Sequence, residues 1–160
     1  MSHTVYIALG TNLGDRLKTL KDAIAHLPPV VLPLAASPVY QTAPWGYSDQ
    51  PDYLNQVIEA ETGLKPIDLL KYLKELEVRL GRKPTFRYGP RVIDMDVLFY
   101  DDLLLETPEL VIPHPRLHER DFVLVPLGDL APNKYHPVLG KTVGELKELA
   151  GPGRVELYEE

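Results

Sequence analysis

The segment that most constrains the fold is 92–100, which reads Val-Ile-Asp-Met-Asp-Val-Leu-Phe-Tyr and has the apolar character of a buried strand. Asp94 and Asp96 interrupt it, and ionised carboxylates among apolar side chains cost free energy unless cations or hydrogen bonds compensate. Because residues i and i+2 of a strand share a face, the two carboxylates stand roughly 6–7 Å apart along the chain and can bind shared cations. Magnesium prefers such oxygen ligands. The same alternation predicts that Leu98 and Tyr100 continue this face.

A block of positive charge leads into this strand. No acidic residue lies between Val78 and Ile93, while the chain carries Arg79, Arg82, Lys83, Arg87 and Arg91. Cations followed by metal ligands are typical of a site for a polyphosphate. The alternative is a solvated charged face, because strands of antiparallel sheets often carry charge towards water and a lone Asp-x-Asp is a weak signal.

Composition limits the class of protein. The chain of 160 residues has the length of one domain, 1–160, and carries a net charge of −6, which argues against a general nucleic-acid binder. It contains no cysteine, so any metal must be held by oxygen or imidazole. Neither a run of about 18 apolar residues nor a signal peptide is present, so we expect a cytoplasmic protein without a membrane partner.

The order of the predicted elements indicates the fold. Apolar runs predict strands at 4–10, 53–62 and 92–100 and an irregular edge strand within 30–41, while three- and four-residue spacing predicts helices at 17–27 and 66–80. This order is typical of an α+β, ferredoxin-like βαββαβ antiparallel sheet with helices on one face. Extra strands and helices, including one at 142–149, are expected in the C-terminal third. Gly10 and Gly14 are interpreted as tight-turn glycines, and Lys74, Glu77 and Arg79 are predicted to lie off the apolar stripe of their helix.

Several segments together resemble one family, the 6-hydroxymethyl-7,8-dihydropterin pyrophosphokinases of folate biosynthesis. The matching segments run in family order through nearly the whole chain; they are Ala-Leu-Gly-Thr-Asn-Leu-Gly at 8–14, Tyr-Gln-Thr-Ala-Pro at 40–44, Gln-Pro-Asp-Tyr-Leu-Asn at 50–55, Glu-Leu-Glu at 75–77 with Gly-Arg at 81–82, Arg-Tyr-Gly-Pro-Arg-Val-Ile-Asp-Met-Asp at 87–96, and Ile-Pro-His-Pro at 112–115 with Arg-Asp-Phe at 120–122. The Gly-Pro-Arg-x-Ile-Asp-x-Asp segment is highly specific to this family.

The resemblance implies a reaction. An enzyme of this family transfers pyrophosphate from ATP to the hydroxymethyl oxygen of the pterin and releases AMP. By this likeness Asp94 and Asp96 hold two Mg²⁺ ions that bridge the triphosphate, so that catalysis consists mostly of positioning and charge stabilisation. The resemblance gives Arg82 and Arg91 a share in catalysis as triphosphate contacts, for which the guanidinium fork is suited.

The resemblance also implies two sets of binding residues. Contacts to ATP are expected from Glu77, Arg82, Lys83, Tyr88, Arg91, His114 and Arg120. Lys83 stands beside Pro84, where the family frequently has an arginine, and Tyr88 replaces the usual tryptophan. The pterin is expected to lie between the rings of Tyr53 and Phe122, with Asn55 at its pyrimidine edge and with Thr42 and Trp45 bordering it.

Two alternatives remain open on the sequence. One is a phosphodiesterase or nucleotidyltransferase that uses the same carboxylate strand, and it would not require Tyr53, Asn55 and Phe122 to form a slot for a ring. The other is a nucleotide-sensing or RNA-binding module, against which the acidic charge counts. The expected partners are therefore the two small substrates, without nucleic acid, and the chain is expected to act as a monomer.

Overall fold

The computed structural model describes residues 2–43, 50–82, 92–151 and 153–158. In chain order the elements are β1 (His3–Thr11), α1 (Arg16–Ala25), β2 (Val31–Ala36), β3 (Tyr40–Thr42), β4 (Tyr53–Thr62), α2 (Pro66–Arg79), β5 (Asp94–Tyr100), β6 (Leu105–Glu106), β7 (Val111–Ile112), a 3₁₀ helix (Leu117–Glu119), α3 (Asp121–Leu130), β8 (Tyr135–His136), β9 (Lys141–Thr142), α4 (Val143–Ala150) and β10 (Glu156–Leu157). Among these described residues, no helix has the length and apolarity needed to cross a bilayer.

The main sheet is antiparallel and has the order β10-β3-β4-β1-β5, with β2 also pairing with β4. This order, with one helix after β1 and one after β4, confirms the predicted ferredoxin-like arrangement. The predicted edge strand corresponds to β2, which contains Pro33. An edge position suits proline because it has no N–H to donate to a second neighbouring strand.

Helices cover both faces of the sheet. Val5, Ile7 and Leu9 of β1 belong to the apolar cluster that includes α1 and α2, whereas Tyr6 and Ala8 face the cluster that includes α3 and α4. This alternation follows from the two-residue period of a strand. The C-terminal third therefore forms a third layer on the face that the ferredoxin-like core leaves open, and this placement was not predicted.

A bulge in β5 separates the carboxylates from the end of the strand. Ile7 of β1 lies opposite Val97, but Tyr6 lies opposite Phe99, so Leu98 is an additional residue. The extra residue changes the alternation, and Tyr100 joins the cluster on the α1 and α2 face while Leu98 stays on the opposite face. The prediction that Tyr100 continues the face of the two aspartates was therefore wrong.

Candidate active site

Gly10 lies at the centre of a depression formed by three neighbouring strands. It is opposite Asn55 of β4 on one side and Asp94 of β5 on the other, and Ala8 is opposite Asp96. Because adjacent strands lie about 4.8 Å apart, the backbones of Asn55 and Asp94 are separated by about 10 Å. Gly10 and Ala8 present little or no side chain between them, which leaves room for a ligand. Gly10 belongs to β1, so its interpretation as a tight-turn glycine was wrong, whereas Gly14 has the positive φ of 69° that such a turn requires.

This depression is part of a cavity of about 290 Å³ between the sheet and the start of α3. It brings together both groups of predicted residues. Asp94, Asp96 and Arg120 line it from the metal and nucleotide group, and Thr42, Tyr53, Asn55 and Phe122 line it from the pterin group. A cavity with apolar walls and a few convergent polar groups has the usual character of a small-molecule site.

The two aspartates have different surroundings. Oδ1 of Asp94 accepts a hydrogen bond of 3.0 Å from Nη1 of Arg82 and lies 4.0 Å from Nζ of Lys74. Burial, and next to it the charge of Asp94, raise the pKa of Asp96 to about 6 against an opposing effect from Lys74 and Arg120. The ionised form of such a carboxylate is costly in the folded protein, and a nearby cation would stabilise it.

Glu77 is buried, with 1% of its surface exposed, so the prediction that it lies off the apolar stripe of α2 was wrong. Its Oε2 accepts the backbone N–H of Met95 at 2.6 Å, and its Oε1 accepts a hydrogen bond of 2.6 Å from Nη1 of Arg82. Lys74 donates to Oε2 at 3.3 Å. These partners compensate the burial of the carboxylate. Arg82 therefore joins Glu77 to Asp94, and Glu77 fixes the backbone between the two aspartates.

The amide of Asn55 is held in place from one side. Its Nδ2 donates to Oγ1 of Thr42 at 2.9 Å in a buried hydrogen bond. This bond fixes the orientation of the amide and leaves Oδ1 as an acceptor and the second N–H as a donor. Tyr53 pairs with Thr42 across β3 and β4, so the ring and the amide enter the cavity from consecutive positions of one strand face.

His114 and Arg120 flank the outer edge of β5. The backbone N–H of His114 donates to the carbonyl of Leu98, and Nδ1 of the ring accepts the N–H of Arg116 at 3.2 Å. Burial, together with the charge of Arg120, lowers the pKa of His114 to about 4. The ring is therefore neutral near pH 7, and because Nδ1 is an acceptor, Nε2 carries the proton and can donate it to a ligand. The guanidinium of Arg120 lies 5.6 Å from the centre of the Phe122 ring.

Four of the predicted site residues, Trp45, Lys83, Tyr88 and Arg91, lie outside the described residues. The cavity also contains residues that the sequence interpretation did not select. Arg116 and Glu119 line it together with Arg120, and so does Gly10. The Pro-His-Pro-Arg order at 113–116 offered a signal for Arg116, since it is a cation two positions after a predicted ligand, but no local pattern distinguishes Glu119 from an exposed helix residue.

The oxygen donors fit a hard divalent cation. Asp94 and Asp96 line the same cavity, and burial makes the charge of Asp96 unfavourable without a cation. Within the described ranges, no group of three or more His, Asp or Glu side chains is arranged so that all of them could hold one metal ion. A cation at these two carboxylates would therefore complete its coordination with water or ligand oxygens, as Mg²⁺ usually does at phosphate sites.

Comparison with known proteins identifies relatives over most of the chain. Residues 6–132 match the family model for 7,8-dihydro-6-hydroxymethylpterin-pyrophosphokinase (HPPK). A protein of Aquifex aeolicus named 2-amino-4-hydroxy-6-hydroxymethyldihydropteridine pyrophosphokinase is 42% identical over 144 residues, covering 90% of this chain and 90% of that protein. A Bacillus subtilis protein of the same name is 42% identical and covers 81% of this chain and 79% of its own length.

Some relatives are much longer. The folic acid synthesis protein FOL1 of Dictyostelium discoideum is 42% identical over 146 residues, which cover 91% of this chain but 22% of that protein. Among solved structures, HPPK-DHPS of Plasmodium falciparum with pterin and p-hydroxybenzoate has a TM-score of 0.76 at 16% identity. The match covers 93% of this chain and 42% of that chain, and it supports the fold.

Proposed function

The chain belongs to the 7,8-dihydro-6-hydroxymethylpterin-pyrophosphokinase family of folate-synthesis enzymes, and we propose that Asp94 and Asp96 bind two Mg²⁺ ions at which it transfers pyrophosphate from ATP to the pterin. In this reaction the hydroxymethyl oxygen forms a bond to the β-phosphorus of ATP, and its proton is released to solvent. The bond between that phosphorus and the bridging oxygen of the α-phosphate breaks, and AMP leaves with the oxygen.

The observation that carries the proposal is the convergence of two unlike groups in one cavity. Asp94 and Asp96 lie on one side of Gly10, and Asn55 lies on the other side with Tyr53. A separation of about 10 Å between the two strands matches the need to place a ring and a phosphate chain side by side. A phosphodiesterase that used the same carboxylates would not require Tyr53, Asn55 and Phe122 to form a slot for a ring.

In this proposal the pterin ring lies between Tyr53 and Phe122. The amide of Asn55, oriented by Thr42, offers one donor and one acceptor to the pyrimidine edge of the ring. Aromatic side chains contribute dispersion and exclude water from both faces of a flat ligand. Trp45 is proposed to border the ring from the segment that follows β3.

The nucleotide is proposed to lie over β5. Bound Mg²⁺ would neutralise phosphate oxygens and increase the electrophilicity of the β-phosphorus. Arg82 is held by Glu77 and Asp94 near this end of the cavity, and Arg120 and the neutral ring of His114 lie near the outer edge of β5. Lys83, Tyr88 and Arg91 are proposed to complete the ATP contacts, with Arg82 and Arg91 stabilising charge during transfer.

We also propose that residues 1–160 form one pyrophosphokinase domain, which acts as a cytoplasmic monomer. The two apolar clusters lie on opposite faces of one sheet, which supports a single unit. Light scattering across a range of protein concentrations tests the oligomeric state, because a dimer would increase the apparent mass as concentration rises.

The reaction is tested by incubating the protein with ATP, Mg²⁺ and 6-hydroxymethyl-7,8-dihydropterin and separating the nucleotides. We expect AMP to accumulate only when the pterin is present, with no ADP, and the product to contain both transferred phosphorus atoms. ADP formation would show single phosphoryl transfer, and AMP formation without pterin would show hydrolysis. Either result would contradict the proposed reaction.

A further inference from the structure

Arg116 and Glu119 line the cavity, and the proposed reaction gives neither a role. Nε of Arg116 lies 3.2 Å from Oε2 of Glu119, and the two side chains are 49% and 54% exposed. An ion pair this exposed is screened by water and contributes little to stability. The pair can therefore separate at small cost when a better partner for the guanidinium arrives.

The backbone of Arg116 is fixed even though its side chain is exposed. Nδ1 of His114 accepts the N–H of Arg116, and the carbonyl of Arg116 accepts the N–H of Glu119 at 3.0 Å. The next residue, Leu117, is fully buried in the cluster under α3 and α4. The start of the side chain is thus anchored beside the cavity, while its guanidinium end can change partner.

The charges around the cavity favour such a change. A triphosphate entering over Asp94 and Asp96 would bring negative charge into the cavity that Arg116 and Glu119 also line, together with Arg120. The carboxylate of Glu119 would be repelled and the guanidinium attracted. Phosphate oxygens can also accept two parallel N–H hydrogen bonds from one arginine. The contact of Arg116 with Glu119 is made through Nε and does not use this geometry.

We propose that Arg116 is an ATP-binding residue that exchanges its ion pair with Glu119 for a contact to the triphosphate. This inference rests on the proposed function, because it takes the nucleotide to lie over β5. Glu119 then acts as a competitor for the guanidinium and lowers the affinity for ATP, while it holds Arg116 at the cavity between turnovers.

The test measures, in the presence of Mg²⁺, the binding of α,β-methylene-ATP. This analogue cannot be cleaved between the α- and β-phosphorus atoms, where the proposed reaction breaks ATP. We expect Arg116→Gln to weaken binding by roughly tenfold, with a partial recovery in Arg116→Lys. Glu119→Gln should tighten binding by roughly threefold, since an exposed pair competes only weakly. Lys71→Gln is the matched control, because Lys71 is an exposed cation of α2 outside the basic block and does not line the cavity.

A double variant distinguishes the proposed exchange of partners by Arg116 from simple repulsion between Glu119 and the triphosphate. If Glu119 acts by holding Arg116, Glu119→Gln should lose most of its effect in the Arg116→Gln background. Additive effects, or an unchanged affinity in Arg116→Gln, would overturn the proposal. Steady-state measurements should show the change mainly in KM for ATP, with kcat reduced less. If the unaltered enzyme forms AMP with pterin but Arg116→Gln binds the analogue normally, the reaction stands and only the role of Arg116 is rejected.

Discussion

Oε2 of Glu77 accepts the backbone N–H of Met95, the residue between Asp94 and Asp96, at 2.6 Å. This buried contact connects the end of α2 to the strand that carries both carboxylates. Because β5 is the last strand of the sheet on this side, the contact supplies a hydrogen-bond partner that a further strand would otherwise provide. Glu77 also holds Arg82, so one side chain positions both the carboxylates and a neighbouring cation.

Replacing Glu77 by alanine should destabilise the protein and reduce turnover together. The change leaves the N–H of Met95 and part of the Arg82 charge without a partner, at a cost of about 2 kcal/mol in the free energy of unfolding. Glu77→Gln should lose less, because its amide oxygen can still accept the N–H. Urea unfolding and the rate of AMP formation provide the two measurements. Glu75→Ala, at an exposed position of the same helix, should change stability by less than about 0.5 kcal/mol. Equal losses in the Glu75 and Glu77 variants would argue against a positioning role.

Replacing Asp96 by alanine should abolish turnover without loss of stability in the absence of metal. Burial and the charge of Asp94 raise the pKa of Asp96 to about 6, so its ionised form destabilises the folded protein near pH 7. Asp94→Ala should also abolish turnover, but its stability gain should be smaller because Asp94 pairs with Arg82. Thermal unfolding in EDTA and activity with Mg²⁺ are the measurements, and exposed Asp102→Asn is the control. A marked loss of metal-free stability in Asp96→Ala would indicate a structural role instead.

Replacing Phe122 by alanine should weaken binding of the pterin by about tenfold, because one face of the ring slot is lost. Binding of α,β-methylene-ATP should change much less, since Phe122 is proposed to contact the pterin and not the nucleotide. Fluorescence or calorimetric titration with each ligand separates the two effects. Tyr135→Ala, at an exposed aromatic residue of β8, serves as a control. A comparable loss of affinity for both ligands would contradict the proposed slot.

The contribution of His136 to the free energy of unfolding should fall as the pH decreases from about 7 towards 5, whereas that of Asp96 should rise over the same range. Burial lowers the pKa of this imidazole, with a further decrease from the charge of His118, so the unfolded chain binds the proton first. The stabilisation is complete above the unfolded pKa, near 6.5, and is lost as the pH falls below it. Nδ1 of His136 accepts the N–H groups of Val138 and Leu139, and protonation would remove both contacts. Urea unfolding at several pH values should give a smaller slope for His136→Asn, and equal slopes would show that His136 makes no contribution.

Local spacing was sufficient for much of the fold. The side-by-side position of Asp94 and Asp96 depends only on the period of a strand, and the helices that became α1 and α2 were evident from apolar residues at three- and four-residue steps. The resemblance to a family added Thr42, Tyr53, Asn55 and Phe122, which do line the cavity. These residues are far apart in the sequence, and only the resemblance to the family indicated that they lie close together in the fold.

Other features depended on partners that are distant in the chain. The bulge at Leu98 arises from the pairing of β5 with β1, and it moved Tyr100 to the face opposite to the one predicted. Glu77 was predicted to lie off the apolar stripe of α2, but it is buried, and Arg82 and the N–H of Met95 compensate its burial. Neither partner could be assigned from the pattern of α2 alone.

The sequence by itself determined the strand and helix periods, the carboxylate pair and the family to which the chain is similar. Only the tertiary structure decided that Gly10 lies between Asn55 and Asp94, that Arg116 and Glu119 share their cavity, and that α3 and α4 cover the second face of the sheet. The physical reason is that residue periodicity is fixed by local backbone geometry, whereas strand register and the facing of layers are fixed by contacts between residues far apart in the chain.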